Sequence, residues 1–192
     1  MWYADDAGTG GKFTHILANL WDLKVKGPPR GYFPEPIKSI LVVAPRNVSQ
    51  VEEFFRGMGL KVVTWSRYLG GLIGEGEAEK SCLYGKVAGW AESVKNLTGV
   101  SRKHPQSAYS GLQKSLHQEW EFMQRVTPGI GDAFGPVEKA LQETFLPEIF
   151  EGLGEGAPEQ GVTGLPEKQA GLDLPDPTLT AHKNWTASCV IT

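Results

Sequence analysis

The chain has 192 residues, 40% hydrophobic and 21% charged, with 19 Lys/Arg against 22 Asp/Glu and a net charge of −3. Those proportions fit an ordinary globular protein able to bury about two thirds of its unfolded surface, and they exclude collagen-like and wholly disordered chains. Cys82 and Cys189 stand too far apart for a disulfide framework, a C-x-x-C pair or a zinc spacing. A reduced intracellular chain, cytoplasmic or nuclear, is expected.

No apolar run approaches the ~18 residues of a membrane span. Asp5 and Asp6 also arrive before any signal-type apolar stretch, so no membrane partner is expected.

Taken in chain order, Trp2 to Ala7 reads as a short strand entering a turn, punctuated by Gly8-Thr9-Gly10-Gly11. Phe13, Ile16, Leu17, Leu20 and Leu23 recur at helical intervals, and Gly27-Pro28-Pro29 stops that helix. Lys38 to Val43 is an apolar, β-branched run and reads as a buried strand. Asn47 or Ser49, with Glu52 as the second half of a capping box, starts a helix carrying Val51, Phe54, Phe55 and Met58. Leu60–Thr64 and Tyr68–Ile73 read as the arms of a hairpin.

Beyond Glu77 the periodicity is helical. One stripe runs through Val87, Trp90, Ala91, Val94 and Leu97. A second runs through Tyr109, Leu112, Leu116, Trp120 and Met123, and a third through Phe134, Val137, Leu141 and Phe145. Asp132 is the expected cap of the third helix, with Pro136 in its first turns. Trp90, Trp120 and Phe122 are expected in the core. From 151 to 180 there are six Gly and four Pro, a density that predicts irregular chain. The expected class is α+β: a short antiparallel sheet with two helices at 1–76, a helical bundle at 77–150, and an irregular or disordered segment at 151–192.

Charge follows this division. Residues 1–125 hold 16 basic and 12 acidic residues, whereas 126–192 hold 3 and 10. The stretch from Lys80 to Arg125 carries Lys80, Lys86, Lys95, Arg102, Lys103, Lys114 and Arg125, a candidate phosphate-contacting surface.

The most informative motif is Tyr3-Ala4-Asp5-Asp6. Adjacent acids at a strand–turn junction repel each other unless a cation neutralises them, and hard divalent ions such as Mg²⁺ need only one or two carboxylates besides substrate phosphates. Such a site suits in-line phosphoryl displacement by two metals. A water-facing acidic turn is the competing reading.

Three further segments follow in order: Gly31-Tyr32-Phe33-Pro34-Glu35-Pro36-Ile37-Lys38-Ser39, then Arg67-Tyr68-Leu69-Gly70-Gly71-Leu72-Ile73-Gly74, then Leu165-Pro166-Glu167-Lys168-Gln169-Ala170-Gly171-Leu172. With the acidic motif they resemble the late palm, primer grip and thumb of retrotransposon-type reverse transcriptases, apart from Ala170, where that family often has Gly.

The resemblance implies an RNA-directed DNA polymerase fragment, with magnesium on Asp5 and Asp6 and Lys38 near the nucleotide phosphates. Tyr3 would lie beside the primer end, and Tyr68, Leu69 and Gly70 would form the primer grip. RNA template, DNA primer and deoxynucleoside triphosphates are the implied partners. For each residue a plainer role stays open: a solvated acid for Asp6, a half-buried aromatic for Tyr3, a strand-edge lysine for Lys38, a hairpin core for the last three. The family's further metal-binding Asp precedes Tyr-x-Asp-Asp and is not among these residues. The chain alone is therefore expected to be inactive, and a catalytically dead, nucleic-acid-binding helical module is the alternative.

Overall fold

The computed structural model describes residues 2–3, 6–150 and 160–191, and it is a mixture of helix and short strands. The chain divides into two compact units. One comprises residues 1–66 and 74–76, the other residues 67–73 and 77–192.

In the first unit, strands β1 (Trp2–Tyr3) and β2 (Asp6–Ala7) pair antiparallel, with Trp2 opposite Ala7 and Tyr3 opposite Asp6. Helix α1 (Phe13–Lys26) follows, ending at Gly27 before Pro28, which cannot continue the helical hydrogen bonding. A 3₁₀ turn, Pro36–Lys38, precedes strand β3 (Ile40–Val42). The strand is therefore shorter than its apolar run, because Pro36 sets the helical φ of the turn and carries Lys38 with it. Helix α2 (Val48–Phe54) then leads to strand β4 (Lys61–Val63). Asn47 occupies the N-cap position of α2 without a side-chain cap hydrogen bond, so the expected Ser49–Glu52 box is not what starts this helix.

Strand β4 does not pair with the run after it, as the sequence reading has it. It pairs parallel to β3, Leu41 opposite Val62 and Val42 opposite Val63, with the Val43 N–H donating to the Val63 carbonyl at 2.9 Å. Parallel neighbours need a crossover, and α2 supplies it. Each strand is exposed at its first residue and half-buried at the next two, Ile40 being 50% exposed, so β3 is not the buried strand expected from sequence and only Val43 just beyond it is enclosed. Ile16 of α1, Val43, and Val51 and Phe55 of the α2 segment form the core there, rimmed by Phe13, Leu17, Leu20, Leu41, Val48, Met58, Leu60 and Val62.

The hairpin is made instead by β5 (Trp65–Tyr68) and β6 (Gly71–Gly74), joined by Leu69-Gly70. Leu69 has φ +48° and Gly70 φ +86°. Positive φ at both central residues is the requirement of a type I′ turn, whose twist matches the strands it joins. The tip of the hairpin, residues 67–73, belongs to the second unit.

That unit is otherwise helical: α3 (Glu77–Ser101), α4 (Pro105–Gly111), α5 (His117–Val126), α6 (Gly135–Ala140), α7 (Leu146–Ile149), α8 (Gln160–Thr163) and α9 (Pro177–Ile191). A π turn, Leu112–Leu116, fuses α4 to α5, and a second, Leu141–Phe145, fuses α6 to α7. The second wide turn falls where Pro147, lacking an N–H, would otherwise press on the Glu143 carbonyl. Asp132 lies in a 3₁₀ turn (Gly131–Phe134) ahead of α6, with Pro136 at its second position. Val87, Val94, Leu112, Phe134, Val137 and Phe145 are wholly buried, and Trp120 is 2% exposed. Each contributes about 1.5–3 kcal/mol of apolar burial. The Trp90 and Phe134 rings stack at 6.0 Å and 9°.

Residues 177–191 are helical, which corrects the expectation of irregular chain there. The Gly and Pro that set the average lie ahead of it. Pro177 opens the helix, and the Asp176 carboxylate accepts the Thr178 N–H at 2.7 Å, as an N-cap residue does. Helix α9 packs along α5. The wholly buried Gln124 donates to the Pro177 carbonyl at 2.8 Å and accepts from Asn184 Nδ2 at 2.7 Å and Thr180 Oγ1 at 3.3 Å. A buried amide with its partners in place favours one alignment of the two helices over any other.

Candidate functional site

The residues singled out in the sequence lie on three separate elements: the β1–β2 pair, the turn ahead of β3 and the hairpin tip. Tyr3 and Asp6 stand opposite each other in the β1–β2 pair. Asp5 lies outside the described residues. Lys38 ends the 3₁₀ turn ahead of β3, with its side chain 78% exposed and its ammonium 2.8 Å from Glu35 Oε2. Glu35 is three residues away in a one-turn element, so the neutralising partner was legible in the spacing. An ion pair this exposed is worth 0 to about 1 kcal/mol and does not tie the lysine down. Among the described residues, no three or more His, Cys, Asp or Glu are gathered so that they could hold a metal ion.

The third element is the hairpin tip. Tyr68 is half-buried, and its hydroxyl is enclosed without a hydrogen-bond partner. Leu69 is 43% exposed in left-handed backbone, which costs a branched side chain about 1–2 kcal/mol. Gly70 and Gly71 are needed for a second reason, close approach. A Cβ on Gly70 would lie 3.0 Å from Phe122 Cε1, and one on Gly71 would lie 2.8 Å from Val126 Cγ2. Two successive glycines thus let the hairpin lie directly on α5.

Beside this contact runs a shallow groove of about 360 Å³ between α3 and α5, lined by Gly70, Lys86, Trp90, Glu119, Phe122 and Met123. Trp90 is heavily engaged. Its ring stacks on Phe134, its N–H donates to Glu119 Oε2 at 3.0 Å, and the Lys86 ammonium stands 5.8 Å from the ring centre. Phe122 differs. It is 42% exposed, so it is not the core residue expected from sequence. The signal was present: Phe122 is two residues, or about 200° of helix, past Trp120 and so off the Leu112–Leu116–Trp120–Met123 stripe.

The basic stretch expected to face phosphates is largely balanced by carboxylates. Lys80 pairs with Glu77 at 3.0 Å, Lys95 with Glu92 at 3.9 Å, Arg125 with Glu121 at 2.7 Å, and Arg102 with Glu148. His117 adds no charge at pH 7. Burial pushes its imidazole below the usual range, an effect that Glu121 at 3.7 Å and nearby Asp173 only partly oppose. The segment from Leu165 to Leu172 closes on the same helices. The Tyr109 hydroxyl donates to the Leu172 carbonyl at 2.6 Å, and Gln113 Nε2 donates to Glu167 Oε1 at 3.2 Å. Burial, then the Glu167 charge, hold the Tyr109 phenol above its ordinary pKa, so it stays a donor.

The arrangement offers an exposed aromatic ring, one lysine and a protruding two-residue turn. No family model, curated protein or solved structure matches this chain.

Proposed function

We propose that the chain is the late palm, primer grip and thumb of a retrotransposon-type reverse transcriptase, and that it holds a primer–template at the hairpin tip. The observation that carries this reading is the order of elements. An antiparallel pair brings Tyr3 opposite Asp6, the Lys38 turn opens apolar β3, the Leu69-Gly70 hairpin follows, and every described element thereafter is helical.

In this reading Asp5 and Asp6 take magnesium, which supplies two-metal nucleotidyl transfer when bound. Lys38 gives up its solvent-exposed partner Glu35 for the phosphates of a deoxynucleoside triphosphate, an exchange that costs little. Tyr68, Leu69 and Gly70 hold the DNA primer while the RNA template lies alongside.

The test is titration of a labelled DNA primer on an RNA template, with Mg²⁺ or with EDTA. Mg²⁺ strengthens binding to the native chain, and the Asp5→Asn/Asp6→Asn variant, with an unchanged circular dichroism spectrum, loses that response. Equal binding by both proteins in both buffers replaces this reading with a non-catalytic nucleic-acid module. Absence of binding at low salt removes both.

A further inference from the structure

We infer that residues 164–173 form a latch against α4 and α5 that opens when His117 takes up a proton. The latch needs no nucleic acid, so its failure leaves the reading above standing.

The segment is a closed loop with buried ends. The Leu172 and Leu174 N–H groups both donate to the Thr163 carbonyl at 3.1 Å, and the Asp173 N–H donates to the Leu165 carbonyl at 2.9 Å. Thr163 is 1% exposed and Leu174 4%, which anchors the loop where it leaves and rejoins the helices. Between these points the backbone is strained. Ala170 and Asp173 hold φ of +60° and +51°, left-handed values that residues with a Cβ adopt reluctantly, Ala more so than Asp. A loop of this shape relies on support from outside.

That support is a polar stripe. Tyr109, Gln113, His117, Glu121 and Arg125 recur every fourth residue from α4, through the π turn, into α5. The first two reach the loop: the Tyr109 hydroxyl donates to the Leu172 carbonyl at 2.6 Å, and Gln113 Nε2 donates to Glu167 Oε1 at 3.2 Å. His117 comes next on the stripe and is 6% exposed. Its Nε2 stands 3.7 Å from Glu121 Oε1, and its ring lies 5.4 Å from that of Trp120. The charged groups that face the imidazole are Glu121 and Arg125 from α5 and Asp173 from the loop. Asp173 also faces Tyr109, so the loop's returning arm lies over the same stripe.

Burial outweighs the two carboxylates and holds the imidazole below its ordinary range, so the closed latch disfavours the charged form. Once the loop leaves, water reaches His117 and the penalty falls. The open form therefore takes the proton more readily. Closure is fully favoured above about pH 6.5, the ordinary histidine value, and loses ground as the pH drops below it. Histidine is the side chain whose ordinary titration falls between pH 5 and 8, so a scan over that window reads this group.

Hydrogen exchange of the full chain from pH 7.5 to 5.5 tests the latch, with the Leu172, Asp173 and Leu174 amides read against those of Val87 to Val94 in α3. Protection factors, corrected for the intrinsic effect of pH on exchange, fall at the loop amides by up to about tenfold per pH unit below 6.5 and stay level in α3. His117→Gln cannot titrate and abolishes the fall. Tyr109→Phe lowers loop protection about 2- to 12-fold at both ends of the range, the worth of one hydrogen bond, and keeps the fall. In the native chain, an NMR titration finds the His117 ring half-protonated below about 6.5, a reading that no variant's folding can spoil. Loop protection that ignores pH, that falls in step with α3, or that falls equally in His117→Gln overturns the inference. So does a His117 ring that titrates above the ordinary value.

Discussion

The first unit gathers four buried residues, Ile16, Val43, Val51 and Phe55, and leaves Trp21, Val25, Phe33, Ile37, Ile40 and Phe54 between 43% and 85% exposed. In the second, six large apolar side chains are wholly buried, and a buried amide is satisfied by three partners. Apolar content alone therefore does not make a core; it needs elements long enough to enclose it. In the second unit helices of 25 and 15 residues pack on other helices, whereas in the first the 14-residue α1 shares its core with a seven-residue helix and three-residue strands.

The comparison predicts a large difference in the cost of removing a ring. Phe134→Ala costs about 3–5 kcal/mol, since rigid neighbours hold the cavity open. Phe55→Ala costs less, because its half-exposed rim lets the site collapse or fill with water. Urea denaturation of the two variants checks this, and equal losses break the contrast. Next in size, Gln124→Ala removes the amide that bridges the Pro177 carbonyl and the Asn184 and Thr180 side chains, of which Thr180 keeps its bond to the Asp176 carbonyl. It lowers stability by about 2–3 kcal/mol and speeds hydrogen exchange across α9 more than across α3. Uniform acceleration would show instead that the two helices open together with the rest.

The smallest effect is a gain. Leu69→Asn removes a left-handed leucine and makes the preferred Asn-Gly pair of a type I′ turn, which raises stability by about 1 kcal/mol. If Leu69 is retained for contact with primer, the same variant binds primer–template less tightly although it melts higher. A variant that melts higher and binds as before assigns the strain no such role.

The helical unit was the more legible in the sequence. Stripes through Val87 to Leu97 and Leu112 to Met123 are set by local spacing, and local spacing was enough to place α3 and α5. The hairpin tip was misplaced: Tyr68–Ile73 reads as one strand arm, whereas Leu69-Gly70 is the turn between two arms.

The partner of β4 could not be read. A run such as Leu60 to Thr64 is equally apolar whether it pairs with the strand before or the strand after, and the choice depends on what α2 covers. Composition averaged over 151–180 concealed α9, whose start is marked by Asp176 and Pro177 alone. At the site, Lys38 and its exposure follow from Pro36 and Glu35, but the exposure of Phe122 emerges only when a single helical face is followed residue by residue. The side chain of Asp6 and all of Asp5 lie outside what the structure describes, so the acidic motif remains a proposal from sequence.

Gln124 also bears on where this protein can be divided. Judged by its glycines and prolines, the chain invites a cut just past Phe150, leaving a tidy bundle behind. The amide shared with Pro177, Thr180 and Asn184 makes that cut run through one folded body. Anyone transplanting the bundle, or splitting the gene to express its halves apart, must carry the sequence on to Ile191 or leave a polar wound in the middle of an oily seam.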